Sequence, residues 1–141
     1  MLAVLLAGCT DTPANEAGES GESGETGESG ETGGEEFPTE LLEATQVSTG
    51  AVSVCAETVD GQLVCWGEND VGQLGDGTKS DRYVPTQVEG IAGATDVACG
   101  DLHTCALLAS GSVLCWGLNE DGQLGDGTTM DRVRPRYVAW E

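Results

Sequence analysis

Cysteine carries the most reactive chemistry in this chain of 141 residues, and there are six of them. Four fall into two pairs with one spacing, Cys55 with Cys65 and Cys105 with Cys115, while Cys9 and Cys99 stand outside that pattern. Such pairs either close as disulfides or stay as reduced, buried thiols, and the redox compartment decides between the two.

Other residues invite a chemical role and lose it on spacing. The run GQLGDG at 72–77 looks like a glycine loop that cradles phosphate. Lys79 behind it becomes Thr129 in a second copy, and no GK[ST] opening a helix follows, so the run reads as a tight turn whose glycines take positive φ. Asn69, Asp70, Asp76 and Asp81, and again Asn119, Asp121, Asp126 and Asp131, offer oxygen ligands of the kind calcium takes. They fit neither a twelve-residue calcium loop nor a nonapeptide β-roll, and Asp and Asn form turns through side-chain bonds to the backbone. His103 is the single histidine; with neither nucleophile nor metal partner in its pattern, it marks no active site. Arg82 and Arg132 each follow an Asp and are expected to brace the loop before a proline-bearing strand. Arg132, Arg134 and Arg136 alternate, which puts them on one strand face as local charge balance or a contact for an acidic neighbour. No catalytic constellation emerges, and no cofactor or metal is expected.

Composition narrows the class. Twenty-five acidic residues against five basic ones leave a net charge of −20, which opposes electrostatic binding to nucleic acid or anionic lipid. Residues 1–44 hold eleven acids and no base, so a solvated acidic arm precedes a more ordinary globular part. Twenty-two glycines and 4% aromatics are lean material for one large core.

A shift of fifty superimposes the chain on itself. Residues 47–88 align with 97–138 without a gap, and about twenty of forty-two positions are identical. A period near fifty, rich in Gly, Trp and short β-type runs, is the mark of a propeller blade. The string CWGxNxxGQLGDGT, present twice, resembles the regulator of chromosome condensation repeat family, whose members form seven-bladed β-propellers. The resemblance covers about residues 47–138 and implies an all-β fold, a partial β-propeller of about two antiparallel blades. It also implies that His103 is structural, while the recurrence of Trp66 and Trp116 at a fixed strand position assigns them to the core between blades.

The strands can be read from the residues as well. Ala51–Thr58 and Leu63–Trp66 flank Val59-Asp60-Gly61, and His103–Leu108 and Val113–Trp116 flank Ala109-Ser110-Gly111. A three-residue hairpin loop ends in a left-handed residue, the place taken by Gly61 and Gly111. That register sets Cys55 opposite Cys65 and Cys105 opposite Cys115, in non-hydrogen-bonded pairs with Cα atoms about 4.5 Å apart, within disulfide range. Export favours bridges; a cytosolic chain would keep the thiols. Cys99, whose counterpart is Thr49, is left as a buried free thiol or one that needs an outside partner.

Export has its own signal. Met1–Gly8 is apolar, too short to span a bilayer, and reads as the remnant of a signal peptide. Leu6-Ala7-Gly8-Cys9 resembles the bacterial lipobox, in which the cysteine is acylated and becomes the mature N-terminus. Thr10 rather than Asp follows, which by the rule for that family directs the lipoprotein to the outer membrane. A basic segment upstream of the apolar run is missing, and the chain stops just past the repeat at Val138, which together point to a piece of a longer product. From Gly18 to Thr32 the chain repeats GES or GET five times. Glycine in every third place matches collagen, but no proline accompanies it and each triplet adds a like charge. The segment reads instead as a disordered, self-repelling tether with a reach of about 30 Å. Glu40–Ala44 is expected to form a helical turn ahead of the first strand.

The expected domains are therefore a signal remnant (1–8), a lipidated Cys9 with its acidic linker (9–44), and two repeats in 45–141. The function these features imply is a non-enzymatic envelope lipoprotein that displays a propeller-type interaction module. Its partner is an unknown protein or another propeller fragment. It meets the membrane through a lipid anchor only and does not meet nucleic acid. The loops 67–82 and 117–132 are the candidate contact surfaces, through Asn69, Asp70, Asp81, Arg82, Asn119, Asp121, Asp131 and Arg132. The alternative is a secreted or surface inhibitor of an enzyme, since the family resembled includes a bacterial β-lactamase inhibitor protein. The nucleotide exchange of the nuclear member is not implied.

Overall fold

The computed structural model describes residues 40–140, so Cys9, the signal remnant and the linker to residue 39 lie outside the described residues. Eight strands follow: β1 Ala44–Thr49, β2 Ser53–Thr58, β3 Leu63–Gly67, β4 Arg82–Gln87, β5 Ala94–Cys99, β6 His103–Leu108, β7 Val113–Gly117 and β8 Arg132–Tyr137. They form two four-stranded antiparallel sheets of order β1-β2-β3-β4 and β5-β6-β7-β8, each strand hydrogen-bonded to its neighbour in sequence. These are two blades of a β-propeller.

The hairpins set the register. Gly61 turns the β2–β3 loop with a φ of 83°, and Gly111 turns the β6–β7 loop with 90°. Thr58 N–H donates to the Gln62 carbonyl at 2.8 Å, which makes that couple the first hydrogen-bonded pair. Bonded and non-bonded pairs then alternate back along the strands, and Cys55 opposite Cys65 is a non-bonded one. The two sulfurs are bridged, as are those of Cys105 and Cys115, with Cα atoms 4.1 Å apart in both.

Two expectations change. Glu40–Ala44 is not helical: Leu41 and Leu42 are exposed, and Ala44 already opens β1 against Thr58. The first hairpin strand starts at Ser53 rather than Ala51, because Gly50 N–H reaches the Ser53 carbonyl and closes a turn there. The outer strands also shift: β1 and β5 each bulge near their start, and β3–β4 and β7–β8 slip before Gly67 and Gly117. Pro85 and Pro135 sit in the last strand of each blade, where a missing N–H removes no interior ladder bond.

One core runs through both blades. Cys55, Leu63, Cys65, Leu74 and Val88 of the first meet Val97, Ala106, Leu114 and Trp116 of the second. Cystine sulfur supplies part of the apolar filling that a chain poor in aromatics lacks.

Candidate interaction loops

The loop between β3 and β4 is organised around Asn69, which is fully buried. Its Oδ1 accepts from Leu74 N–H at 3.0 Å. Its Nδ2 donates to the carbonyls of Thr78 and Ser80, each at 3.0 Å, and to Asp76 Oδ1 at 3.2 Å. Its own N–H donates to Asp81 Oδ1 at 2.8 Å. Asp76 in turn accepts from the Thr78 backbone and hydroxyl and from Arg82 Nε at 2.6 Å. The loop between β7 and β8 repeats every one of these contacts around Asn119, Asp126, Thr128, Asp131 and Arg132.

Electrostatics follow from that geometry. Burial pushes the Asp76 carboxyl upward, but the bonds from Thr78, Arg82 and Asn69 together outweigh it and hold it below 3.8. Asp126 is held lower still, at about 2, by the Thr128 hydroxyl first and Arg132 next, against a smaller upward push from burial. Both carboxylates are fixed as internal acceptors. Arg82 and Arg132 brace their loops, as expected from sequence. Arg134 Nε meets Glu89 of the first blade at 2.8 Å, so two of the alternating arginines find acidic neighbours.

This placement corrects part of the candidate contact set. Asn69 and Asn119 have no exposed surface and hold the loop together from inside, so neither is free to touch a partner. Asp81 and Asp131 each hold one carboxylate oxygen on a backbone N–H, that of Asn69 and that of Asn119. Asp70 and Asp121 remain exposed at the loop tips.

The loop glycines have a different part from the one sequence suggested alone. Gly72, Gly75 and Gly77 do take positive φ, of 85°, 72° and 84°. They are also the floor on which the second blade rests. A Cβ on Gly75 would lie 2.6 Å from Trp116 Nε1, and one on Gly72 would lie 2.7 Å from Val133 Cα. Between them the Gln73 carbonyl accepts from Trp116 Nε1 and from the Thr104 hydroxyl, both at 2.9 Å. Gly77 N–H donates to the Val133 carbonyl at 2.9 Å. Trp116 is fully buried here, in the core between blades.

Sequence reasoning missed the Gln73 carbonyl, although GQLG occurs in both copies. It also missed the inner contacts: Gln46 donates to Asp96, and Ser48 Oγ accepts from Cys99 N–H at 3.0 Å. The Cys99 thiol donates to the Ser48 carbonyl at 3.5 Å, and burial, only partly offset by its hydrogen bonds, raises its pKa. Cys99 is thus a protonated packing residue at the blade junction. Among the described residues no cluster of three His, Cys, Asp or Glu side chains is arranged to hold a metal ion.

The family described as regulator of chromosome condensation (RCC1) repeat matches residues 60–107 and 110–141, and a second description of the same repeat matches 94–123. The chain belongs to the RCC1 repeat family. Each RCC1 unit matched in sequence begins within a blade, since 60–107 runs from before β3 to β6. Human E3 ubiquitin-protein ligase HERC2 is 45% identical over 47 residues, which are 33% of this chain and 1% of HERC2. Among solved structures, Kap60 bound to yeast RCC1 (Prp20) aligns with a TM-score of 0.65 at 20% identity, over 74% of this chain and 26% of that one. Prp20p from Saccharomyces cerevisiae gives 0.65 and 20% over 74% and 27%, and human WBSCR16 gives 0.62 and 25% over 69% and 26%. This chain spans about a quarter of the length of those RCC1 structures.

Proposed function

We propose that this chain is a non-enzymatic bacterial envelope lipoprotein, acylated on Cys9 and held off the outer membrane by its acidic tether, whose RCC1-type blades bind another protein. The observation that carries the reading is the pair of bridges Cys55–Cys65 and Cys105–Cys115, one in each blade. Disulfides of this structural kind persist in oxidising compartments, which agrees with the lipobox-like run before Cys9. A single acyl chain binds a bilayer only marginally, so stable anchoring needs more than one at Cys9. Protein binding is supported by the relatives: the yeast structures are described as RCC1 bound to Kap60 and as Prp20p with binding properties towards Gsp1p and histones.

The test is palmitate labelling in a bacterial host, with the chain behind a functional export signal. Label is expected in the wild type and lost in Cys9→Ser. Label that persists in Cys9→Ser refutes lipidation at this site, and free thiols at all four paired cysteines in envelope fractions refute export. Cross-linked capture from the same fractions identifies the partner, and a stoichiometric enzyme in the complex converts the reading to the inhibitor alternative.

A further inference from the structure

Three sulfurs belong to the core where the two blades join, and one of them is not bridged. Cys55 on β2 and Cys65 on β3 form the buried cystine of the first blade. Cys99, the last residue of β5 in the second blade, packs against the same core. Its N–H and its thiol both reach Ser48, at 3.0 and 3.5 Å, and Ser48 is the β1 residue opposite Cys55. The Cys55 backbone itself lies within hydrogen-bond reach of the Cys99 thiol. β5 rests on β1 and β2, and Cys65 is one strand further out. The free thiol therefore stands beside a cystine of the opposite blade, and beside the Cys55 half of it.

The second bridge is placed differently. Thr104, the cross-strand partner of Cys99, turns toward the first blade and donates to the Gln73 carbonyl. Cys105 follows Thr104 on the same strand, so its side chain points to the other face of the sheet. The sequence also uses the position once, since Thr49 stands in the first copy where Cys99 stands in the second.

We propose that Cys99 is the exchange partner of the Cys55–Cys65 bridge. Its sulfur attacks Cys55 Sγ, the bond from Cys55 to Cys65 breaks, and a Cys55–Cys99 bond joins the blades covalently. Cys65 leaves with the electron pair of the broken bond and takes up the proton that Cys99 gives up. One sulfur–sulfur bond replaces another, so no oxidant or reductant is consumed. The link moves from inside a blade to between two blades, and the β2–β3 hairpin is released. The groups facing the thiol are Ser48, Thr104 and the Cys55 backbone, none of them charged, and burial raises the Cys99 pKa. Thiolate is therefore scarce at neutral pH, and the exchange is slow there. It requires formed bridges and no acyl chain, so it stands apart from the proposed function.

The test uses the oxidised full chain with Cys9→Ser, so that Cys99 is its single thiol at the start. Samples held at pH 7, 8 and 9 are quenched in acid, alkylated with N-ethylmaleimide in acidic denaturant, digested and mapped by mass. Label is expected to move from Cys99 to Cys65, together with a Cys55–Cys99 linked peptide. The move should be about tenfold faster for each pH unit, as the thiolate fraction rises. Cys99→Ser should show no label at Cys65. Cys65→Ser should bridge Cys55 to Cys99 on oxidation, whereas Cys55→Ser should leave Cys65 and Cys99 as thiols. Label confined to Cys99 after a day at pH 9 overturns the proposal, and so does a Cys65→Ser variant that keeps two free thiols. Label at Cys55 overturns the choice of Cys55 as the sulfur attacked. Equal label at Cys105 and Cys115 means general shuffling on unfolding, which overturns it as well.

Discussion

Replacing Asn69 with alanine should destabilise the protein by about 3–5 kcal/mol, although the residue lies in a loop. Alanine removes the acceptor of the Leu74 N–H, and Leu74 is itself fully buried, so that donor is left with neither protein nor solvent. An orphaned buried donor costs about 1–3 kcal/mol. It also removes the donors to the Thr78 and Ser80 carbonyls and to the Asp76 carboxylate. Those acceptors keep partial solvation or other partners, and together contribute about 2 kcal/mol more. The total is a large share of the roughly 5–15 kcal/mol by which domains are stable. The assay is urea unfolding of the oxidised protein, followed by tryptophan emission. Asp70→Ala, one residue along and exposed, is the control and should stay within about 0.5 kcal/mol of wild type. Asn69→Asp separates the two functions of the amide, because it keeps the acceptor for Leu74 and turns the donor into an oxygen facing Asp76. It should be destabilised at neutral pH and recover in part on acidification. If Asn69→Ala unfolds within about 1 kcal/mol of wild type, the buried amide does not organise this loop, and the equivalence with Asn119 is a coincidence of sequence.

Removing one bridge as Cys55→Ser/Cys65→Ser should cost about 2.7 kcal/mol by the loop-closure relation for a separation of 10 residues, measured as a fall in the urea midpoint without loss of the second bridge. An unchanged midpoint would mean that the unfolded chain is already constrained there. Acid should also destabilise the loops. Asp126 has a folded pKa of about 2 against an ordinary 3.8, and Asp76 is likewise lowered, so their stabilisation is full above about pH 4 and is lost as the pH falls towards 2. Glu57, raised by burial and then by Asp96, works in the opposite sense and trims the effect. Thermal melts between pH 5 and pH 2 should show the fall, and Asp126→Asn should flatten it; a variant with the wild-type slope would detach the pH dependence from this carboxylate.

Much of the blade is legible in sequence because it is local. A hairpin loop ended by glycine fixes the register of β2 on β3, and that register alone brings Cys55 opposite Cys65. What was not legible depends on neighbours distant in the chain. β1 and β5 have few alternating apolar residues, and they become strands because β2 and β6 offer them an edge. The repeat does extend to them, since Ala44-Thr45 recurs as Ala94-Thr95, a signal at the margin of the aligned region. The sequence offers Asn69 as a contact candidate because it lies in the loop 67–82, and propellers bind through such loops. Nothing in a one-dimensional pattern distinguishes an amide at the tip of a turn from one wrapped inside it.

The two copies sort their differences by location. The cystine pairs and the Asn hub with its Asp and Arg are identical in both copies and serve the interior of a blade, while the loop glycines, also identical, form in the first copy the floor on which the second blade rests. Among the positions that differ, Thr104, Val133, Arg134 and Glu89 lie where the two blades meet. A blade therefore has one solution for holding itself together, and each junction is fitted individually. The disulfide and the buried loop amide make this division possible, because they stabilise a sheet within its own boundary. The junction is then free to vary, provided that its two sides stay matched, as Arg134 and Glu89 do.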